Sequence, residues 1–180
     1  SVMQPSSQSH LCNILKSAGS RITRETMIDY LSEMEDAYLV FQLKNFTDSF
    51  VEKTLKSKTY FFDNGLLFVS TVDAKTKLLE NLVAIHLYKQ YGGSETNRLF
   101  YYSKNVEVDF YVPQHDWLIQ VAYSIANDDT REREISSLLK VAKYLQAKQL
   151  TIITYNEEQT ISLNNGSTIE VIPLWKWLLE

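Results

Sequence analysis

Cysteine is scarce in this chain, with Cys12 the sole example in 180 residues. An internal disulfide framework is therefore excluded, and we expect a reducing, cytoplasmic setting. The three histidines are scattered and show no Cys/His spacing that would predict a zinc site. The five glycines form neither of the two glycine-rich phosphate-binding signatures. We therefore expect no cofactor in this stretch of chain, and in particular no ATP bound through such a loop.

Long apolar runs and an excess of basic charge are also missing. No run approaches the length needed to cross a membrane, so we expect no membrane partner. The formal net charge is −4, whereas a dedicated nucleic-acid binder usually carries a basic surface. What the chain does have is 44% hydrophobic and 22% charged residues. That composition predicts an ordered core in one domain or one and a half.

Residues 1–70 predict an N-terminal unit. A polar start over residues 1–9 precedes a short helical stripe at Leu11, Ile14 and Leu15. A second helix at 24–36 follows, with Thr23 as its N-cap. Two strands, 37–43 and 58–62, complete the order helix, helix, strand, strand, which is that of a winged-helix-like unit.

The helix at 24–36 has two interpretations. As a DNA-recognition helix it would place Arg21 and Arg24 against phosphates. Its acidic residues would repel phosphates and favour a packing or linking role instead. Those acids are Glu25, Asp29, Glu33, Glu35 and Asp36.

Residues 71–180 predict an α/β domain. A long helix carries Glu80 on a largely apolar stripe, where it would either point inward or lie at the rim beside Lys75 or Lys77. Asp129 with Glu132 fits a capping box that opens the next helix. The predicted elements in order are helix 74–91, strand 99–103, hairpin 106–123, helix 129–148, strand 149–155, hairpin 161–172 and helical turn 174–179.

The hairpin at 106–123 is the most informative stretch. With Val112 and Trp117 as the last pair before the turn, Asp109 lies opposite Gln120. Alternation along the strands then predicts one polar face and one wholly apolar face. The polar face would hold Glu107, Asp109, Tyr111, Leu118, Gln120 and Ala122, and the apolar face Val106, Val108, Phe110, Val112, Ile119 and Val121. Acids and a carboxamide at the centre of a sheet need buried partners.

This order of elements resembles the core of the restriction-endonuclease-like, or PD-(D/E)XK, nucleases. The resemblance assigns Glu80 to the acid of the first core helix, Asp109 to the second strand and Gln120 to the third. In that superfamily these groups converge on a divalent metal, so the resemblance implies Mg²⁺ at Glu80 and Asp109 if activity survives. The implied fold is a winged-helix-like unit followed by a restriction-endonuclease-like mixed sheet flanked by helices.

Nearly the whole chain also resembles a domain of unknown function that follows the ATPase module in predicted bacterial and archaeal AAA-type ATPases. This resemblance implies an upstream ATPase module in the same polypeptide, through which alone ATP would be bound. It rests on segments spread along the chain, namely 38–41, 58–67, 79–83, 107–110, 119–121, 130–134, 152–155 and 172–179.

The chain departs from the nuclease pattern at Ala122, which stands where a lysine is expected. A methyl group cannot stabilise charge on phosphorus, a loss worth about 10²–10³ in rate. Arg131 could supply a migrated positive charge or contact nucleic acid, or it could pair with Glu134 or Asp109 in a vestigial site.

Three functions follow from these patterns. The first is a degenerate nuclease-like module that binds nucleic acid or regulates an ATPase, and we expect no enzyme activity from it. The second is a protein-interaction or oligomerisation module, which Trp175 and Trp177 near the end of the chain would suit. The third is an active metal-dependent nuclease.

Overall fold

The computed structural model describes residues 6–7, 17, 19, 21–47, 56–70, 75–92, 98–163 and 166–179. Its strands are β1 (Ser6–Ser7), β2 (Val40–Asn45), β3 (Lys56–Phe61), β4 (Phe100–Ser103), β5 (Glu107–Val112), β6 (Trp117–Val121), β7 (Gln149–Thr154), β8 (Gln159–Ser162) and β9 (Thr168–Pro173). Its helices are α1 (Arg24–Asp36), α2 (Asn64–Ser70), α3 (Lys75–Tyr91), α4 (Asp128–Leu145) and α5 (Leu174–Trp177). The short stripe predicted at Leu11, Ile14 and Leu15 lies outside the described residues.

The strands of the described residues form one mixed sheet in the order β1-β3-β2-β4-β5-β6-β7-β9-β8. β5 runs antiparallel to both of its neighbours, β4 and β6, while β6, β7 and β9 run parallel. Helices α3 and α5 contribute buried residues to a core on one face, and α4 contributes to a core on the other. We call these the α3 face and the α4 face. None of the described helices has both the length and the apolar character needed to cross a membrane.

The predicted register of the central hairpin is confirmed. Val112 pairs with Trp117 and Phe110 with Ile119, and a short 3-10 helix, Pro113–His115, makes the turn. Asp116 closes that turn with φ of 49°, a left-handed conformation that aspartate tolerates better than most residues.

The predicted faces of the hairpin hold from Phe110 onward but fail at Val108, which packs on the α4 face instead of with Phe110. The pairing of β4 with β5 passes from Phe100–Tyr111 to Tyr102–Val108. Two residues of β5 therefore stand against one of β4, which is a β-bulge. As a result Val108 packs in the α4-face core with Tyr111, whereas Phe110 packs in the α3-face core. Asp109 is one of the two bulged residues.

The N-terminal strands belong to the same sheet as the rest of the chain. β2 and β3 form an antiparallel pair, and β2 continues the sheet by running parallel to β4. A separate winged-helix arrangement is not confirmed, and the division into units 1–70 and 71–180 stays a prediction. Thr23 caps α1 as predicted, because its hydroxyl oxygen accepts a hydrogen bond from the N–H of Thr26 at 3.2 Å.

The short apolar run at 66–69, which has no period that separates helix from strand, lies within helix α2. One local prediction needs correction: the N-cap of α4 is Asn127, two residues before the predicted Asp129, and the helix ends at Leu145 instead of 148. The Asn127 carboxamide oxygen accepts the N–H of Thr130 at 3.1 Å.

Asn81 fixes α3 against the end of β3. Its side chain accepts the N–H of Phe61 at 2.9 Å and donates to the Phe61 carbonyl at 3.0 Å and to the Asn64 Oδ1 at 2.8 Å. The side chain is fully buried, so no water can replace these bonds without rearrangement.

We predict that Asn81→Ala lowers the free energy of unfolding by about 1–3 kcal/mol, since it removes the partners of the half-buried Phe61 N–H and carbonyl. Urea denaturation followed by circular dichroism measures the change. The control is Lys77→Ala, an exposed position on the same helix. Equal stabilities of the two variants would contradict the assignment.

Candidate functional site

A buried lysine lies at the centre of the predicted acid site. Lys58 of β3 is 1% exposed. Its Nζ lies 2.6 Å from Glu107 Oε1, 3.4 Å from Asp109 Oδ1 and 3.7 Å from Glu80 Oε1. The ring of Tyr101 adds a cation–π contact at 5.5 Å. We call Lys58, Glu80, Glu107 and Asp109 the Lys58 cluster.

The charges of the Lys58 cluster are strongly coupled. Burial alone would lower the pKa of Lys58, but the carboxylates of Asp109, Glu80 and Glu107 outweigh it, so the pKa of Lys58 is raised. Burial, followed by the charge of Asp109, raises the pKa of Glu80 to about 8. Glu80 is therefore mainly protonated at neutral pH. The ammonium is then balanced chiefly by Asp109 and Glu107, and the Tyr60 hydroxyl donates to Glu80 Oε1 at 2.9 Å.

Asp109 and Gln120 fill the gap where β5 and β6 separate beyond their last pair. The N–H of Asp109 donates to Gln120 Oε1 at 3.1 Å, and the N–H of Val121 donates to Asp109 Oδ2 at 2.9 Å. The Gln120 amide in turn donates to the carboxylate of Glu134 on α4. Glu134 also accepts from Arg133, at 2.6 Å. A polar chain thus runs from the Lys58 cluster through the sheet to α4.

The residues of the Lys58 cluster do not fit a bound magnesium ion. Mg²⁺ requires oxygen ligands in near-octahedral geometry. Here Asp109 presents Oδ1 to Lys58 and Oδ2 to the N–H of Val121. Glu80 Oε1 accepts the Tyr60 hydroxyl. Within the described ranges, no group of three or more His, Cys, Asp or Glu side chains is arranged to hold a metal ion.

The structure brings together some of the predicted site residues and separates others. Glu80 and Asp109 meet at Lys58, and Gln120 joins them through the backbone of Asp109. Ala122 lies in the α4-face core. Its methyl group contributes no charge to the Lys58 cluster.

Where their side chains are described, the arginines predicted to bind nucleic acid do not contact the Lys58 cluster. The expected pairing of Arg131 with Glu134 or Asp109 is wrong: the Arg131 guanidinium donates to Gln159 Oε1 at 3.3 Å, and Arg133 takes the place beside Glu134. Arg21 is exposed ahead of α1, and the side chain of Arg24 lies outside the described residues.

Lys58 is the functional candidate that sequence reasoning missed, and Glu134 was expected only as a partner of Arg131, not of Gln120. A signal for Lys58 was available, because it alternates with Tyr60 and Phe62 and so shares their face of the strand. Glu134 lies one turn before Leu138 on the buried stripe of α4, again as an acid on an apolar face. Neither signal identifies the residue that each side chain contacts, because those residues lie in other elements of the fold.

Comparison with known proteins gives the family. The description "Domain of unknown function (DUF4143)" matches residues 75–177. The chain belongs to this family. A second description, "Domain of unknown function (DUF8612)", matches residues 2–76, so the two meet at the start of α3. DUF4143 domains are commonly found downstream of ATPase modules.

One relative covers nearly the whole chain. The uncharacterized protein MJ1544 of Methanocaldococcus jannaschii is 40% identical over 178 residues, which is 94% of this chain and 40% of that protein. The chain therefore spans two fifths of the length of this relative. No solved structure matches the chain. Membership of DUF4143 confirms the resemblance to a domain of unknown function, and the PD-(D/E)XK core stays a prediction.

We predict that Lys58→Met destabilises this DUF4143 chain by about 3–5 kcal/mol, because it leaves buried carboxylates without a cation. Chemical denaturation at neutral pH measures the loss. Lys148→Met is the control, since Lys148 pairs with Asp116 at the surface and its removal should change stability little. If both lysines behave alike, the Lys58 cluster is not a stabilising feature.

We also predict that stability falls as pH rises from about 5 to 9, and that Glu80→Gln flattens this dependence. The folded protein holds the Glu80 proton more tightly than the unfolded chain, because the folded pKa of about 8 exceeds the ordinary 4.5. That contribution is fully present below the unfolded pKa and is lost as pH rises through the folded one. The raised pKa of Lys58 adds no change in this window. Denaturation at a series of pH values measures this dependence. If the stability of Glu80→Gln changes with pH as that of the wild type does, the assignment is contradicted.

Proposed function

We propose that this chain is a degenerate nuclease-like module, the C-terminal region of a longer AAA-type ATPase, that binds nucleic acid without hydrolysing it. The ATPase module of the same polypeptide is its first partner and the one through which ATP would act. The observation that carries the proposal is the position of Lys58, which neutralises the acids that a hydrolytic site would leave free for a metal.

The order of the central elements supports the nuclease-like part of the proposal. Helix α3 with Glu80 precedes β4, β5 with Asp109 and β6 with Gln120, and α4 and β7 follow. An acid on the helix, an acid on the second strand and a glutamine on the third match the superfamily pattern in type and order. A scaffold of this kind offers a ready surface for nucleic acid even where its chemistry has been lost.

The energetics of the Lys58 cluster support the absence of hydrolysis. To bind a divalent cation, Asp109 would have to exchange its bonds to Lys58 and to the Val121 N–H for bonds to the ion. Lys58 would then be left buried and unpaired, a state that costs several kcal/mol. Gln120 adds no charge to offset that cost.

Metal-dependent hydrolysis is the second candidate, and Lys58 also favours it in one respect. Its ammonium lies 3.4 Å from Asp109 Oδ1 and so supplies a positive charge that Ala122 does not. A lysine contributed by β3 instead of β6 could stabilise charge on a phosphate held beside Asp109.

We predict that the chain cleaves neither plasmid DNA nor single-stranded DNA or RNA in millimolar Mg²⁺ or Mn²⁺ beyond the level of Asp109→Ala. Gel electrophoresis of the products measures cleavage, and calorimetric titration tests metal binding directly. Cleavage that disappears in Asp109→Ala and Lys58→Ala while circular dichroism shows both variants folded would establish the second candidate and overturn the first. Arg133→Ala, which alters a cation outside the Lys58 cluster, is the control for loss of charge.

A further inference from the structure

Three aromatic residues follow the carboxyl ends of parallel strands. Tyr123 comes after β6, Tyr155 after β7 and Trp175 after β9. Because these strands run in the same direction, their carboxyl ends lie at one edge of the sheet. In open α/β sheets this is the edge where ligands bind. We call these three residues the aromatic edge.

The aromatic edge contains a parallel ring stack. The rings of Tyr123 and Tyr155 have centroids 4.9 Å apart and an interplanar angle of 13°. The backbone fixes the pair, since the N–H of Tyr155 donates to the carbonyl of Tyr123 at 3.1 Å. Tyr155 nonetheless remains 56% exposed. A flat aromatic surface is thus held in place and presented to solvent.

Trp175 enlarges the exposed aromatic surface. It is 57% exposed, and its indole N–H donates to Asn156 Oδ1 at 3.4 Å, one residue beyond Tyr155. Large aromatic side chains exposed singly need no explanation, but a group at one edge marks an interaction surface.

One cation lies directly against this surface. Lys75, the first residue of α3, places its Nζ 5.5 Å from the Tyr123 ring centroid. The neighbouring acids are already engaged. Glu157 accepts from the Ser124 hydroxyl and from the N–H of Ile125, and Glu158 pairs with Lys176. Lys75 is therefore placed to contact a phosphate next to a stacked base.

We propose that the aromatic edge, with Lys75, is a stacking platform for the bases of a single-stranded nucleic acid. This inference rests on the proposed function and names its partner. Every base has a π-face, so stacking tolerates any sequence, while the bases of a duplex are already stacked and out of reach. The net charge of −4 is compatible with this mode, because the rings rather than many phosphate contacts carry the binding.

The partner's position relative to the Lys58 cluster follows from β6. Val121, whose N–H holds Asp109, is two residues before Tyr123. A strand lying on the platform would pass the outer end of the Lys58 cluster, where Glu107 is the most exposed of the acids. It would contact the scaffold beside the closed site and leave Lys58 in place.

The test is the anisotropy of a fluorescently labelled oligothymidylate at low salt. The wild type should bind it more tightly than the matching duplex. Tyr155→Ala should weaken binding about fivefold to a hundredfold, the range for one base–aromatic stack. Tyr155→Phe should bind within about twofold of the wild type, because the ring face is retained. One phosphate contact by Lys75 predicts a shallow salt dependence, with a log–log slope of about −0.7.

Tyr144→Ala is the matched control. Tyr144 is 60% exposed, has Lys104 5.7 Å from its ring centroid and contacts the ring of Tyr102, but at an interplanar angle of 62°. It therefore shares the composition of the aromatic edge without the parallel stack, and its loss should leave binding unchanged.

The outcomes separate this inference from the proposed function. If the wild type binds but Tyr155→Ala binds equally well, the platform is wrong and nucleic-acid binding stands. If Tyr155→Phe is as weak as Tyr155→Ala, or the duplex binds better than the single strand, stacking is wrong. If the wild type binds no oligonucleotide at low salt, both are wrong. Thermal denaturation of each variant shows whether a loss of binding comes from unfolding.

Discussion

The structure depends on one interaction, the burial of the Lys58 ammonium among Glu80, Glu107 and Asp109. In the sheet order, β3 is three positions from β5. A flat sheet would separate those strands by about 14 Å, which is beyond the reach of a lysine side chain. The sheet must therefore curl around the α3 face, and the contact between the rings of Tyr60 and Phe110 at 5.8 Å spans the same distance. The Lys58 cluster thus joins the N-terminal strands to the hairpin that carries the acids.

The polar residues at the centre of the sheet specify the arrangement more than they stabilise it. Desolvating a lysine and its carboxylates costs about as much as their attraction returns, and it is favourable only if each group finds further partners. The N–H of Val121 donates to Asp109, and the Tyr60 hydroxyl donates to Glu80. Glu80 also keeps its own proton at neutral pH, because its pKa is raised. A shifted register of β3 or β5 would leave one of these groups unpaired. Because an unpaired buried polar group is destabilising, the observed register of β3 and β5 is favoured over a shifted one.

The sequence predicted local order well and long-range contacts poorly. Hydrophobic periodicity and turn residues located the helix with Glu80, and the hairpin has the predicted register from Val112–Trp117 to Phe110–Ile119. The next expected pair, Asp109 with Gln120, is replaced by a hydrogen bond from the Asp109 N–H to the Gln120 side chain. The alternation rule then failed at Asp109, because one inserted residue exchanges the faces of the strand and leaves no trace in the residue pattern. Lys58 was missed for a different reason. Its partners lie on helix α3 and strand β5. Side-chain periodicity predicts which face of an element a residue occupies, but it does not predict which residues contact it.

The Lys58 cluster and the aromatic edge are both connected to β6, and the proposed function, binding without hydrolysis, depends on how separate the two are. On β6, Gln120 and Val121 are committed to Asp109, whereas Tyr123, two residues later, takes part in no bond that holds the Lys58 cluster. The methyl group of Ala122 contributes no charge here, and the rings beyond the end of the strand do not depend on it. Hydrolysis requires several groups to converge on one phosphate, but stacking needs only a rigid aromatic face. Tyr123 and Tyr155 follow two neighbouring parallel strands of the sheet that Lys58 joins together, so the buried cluster also supports the surface beside it.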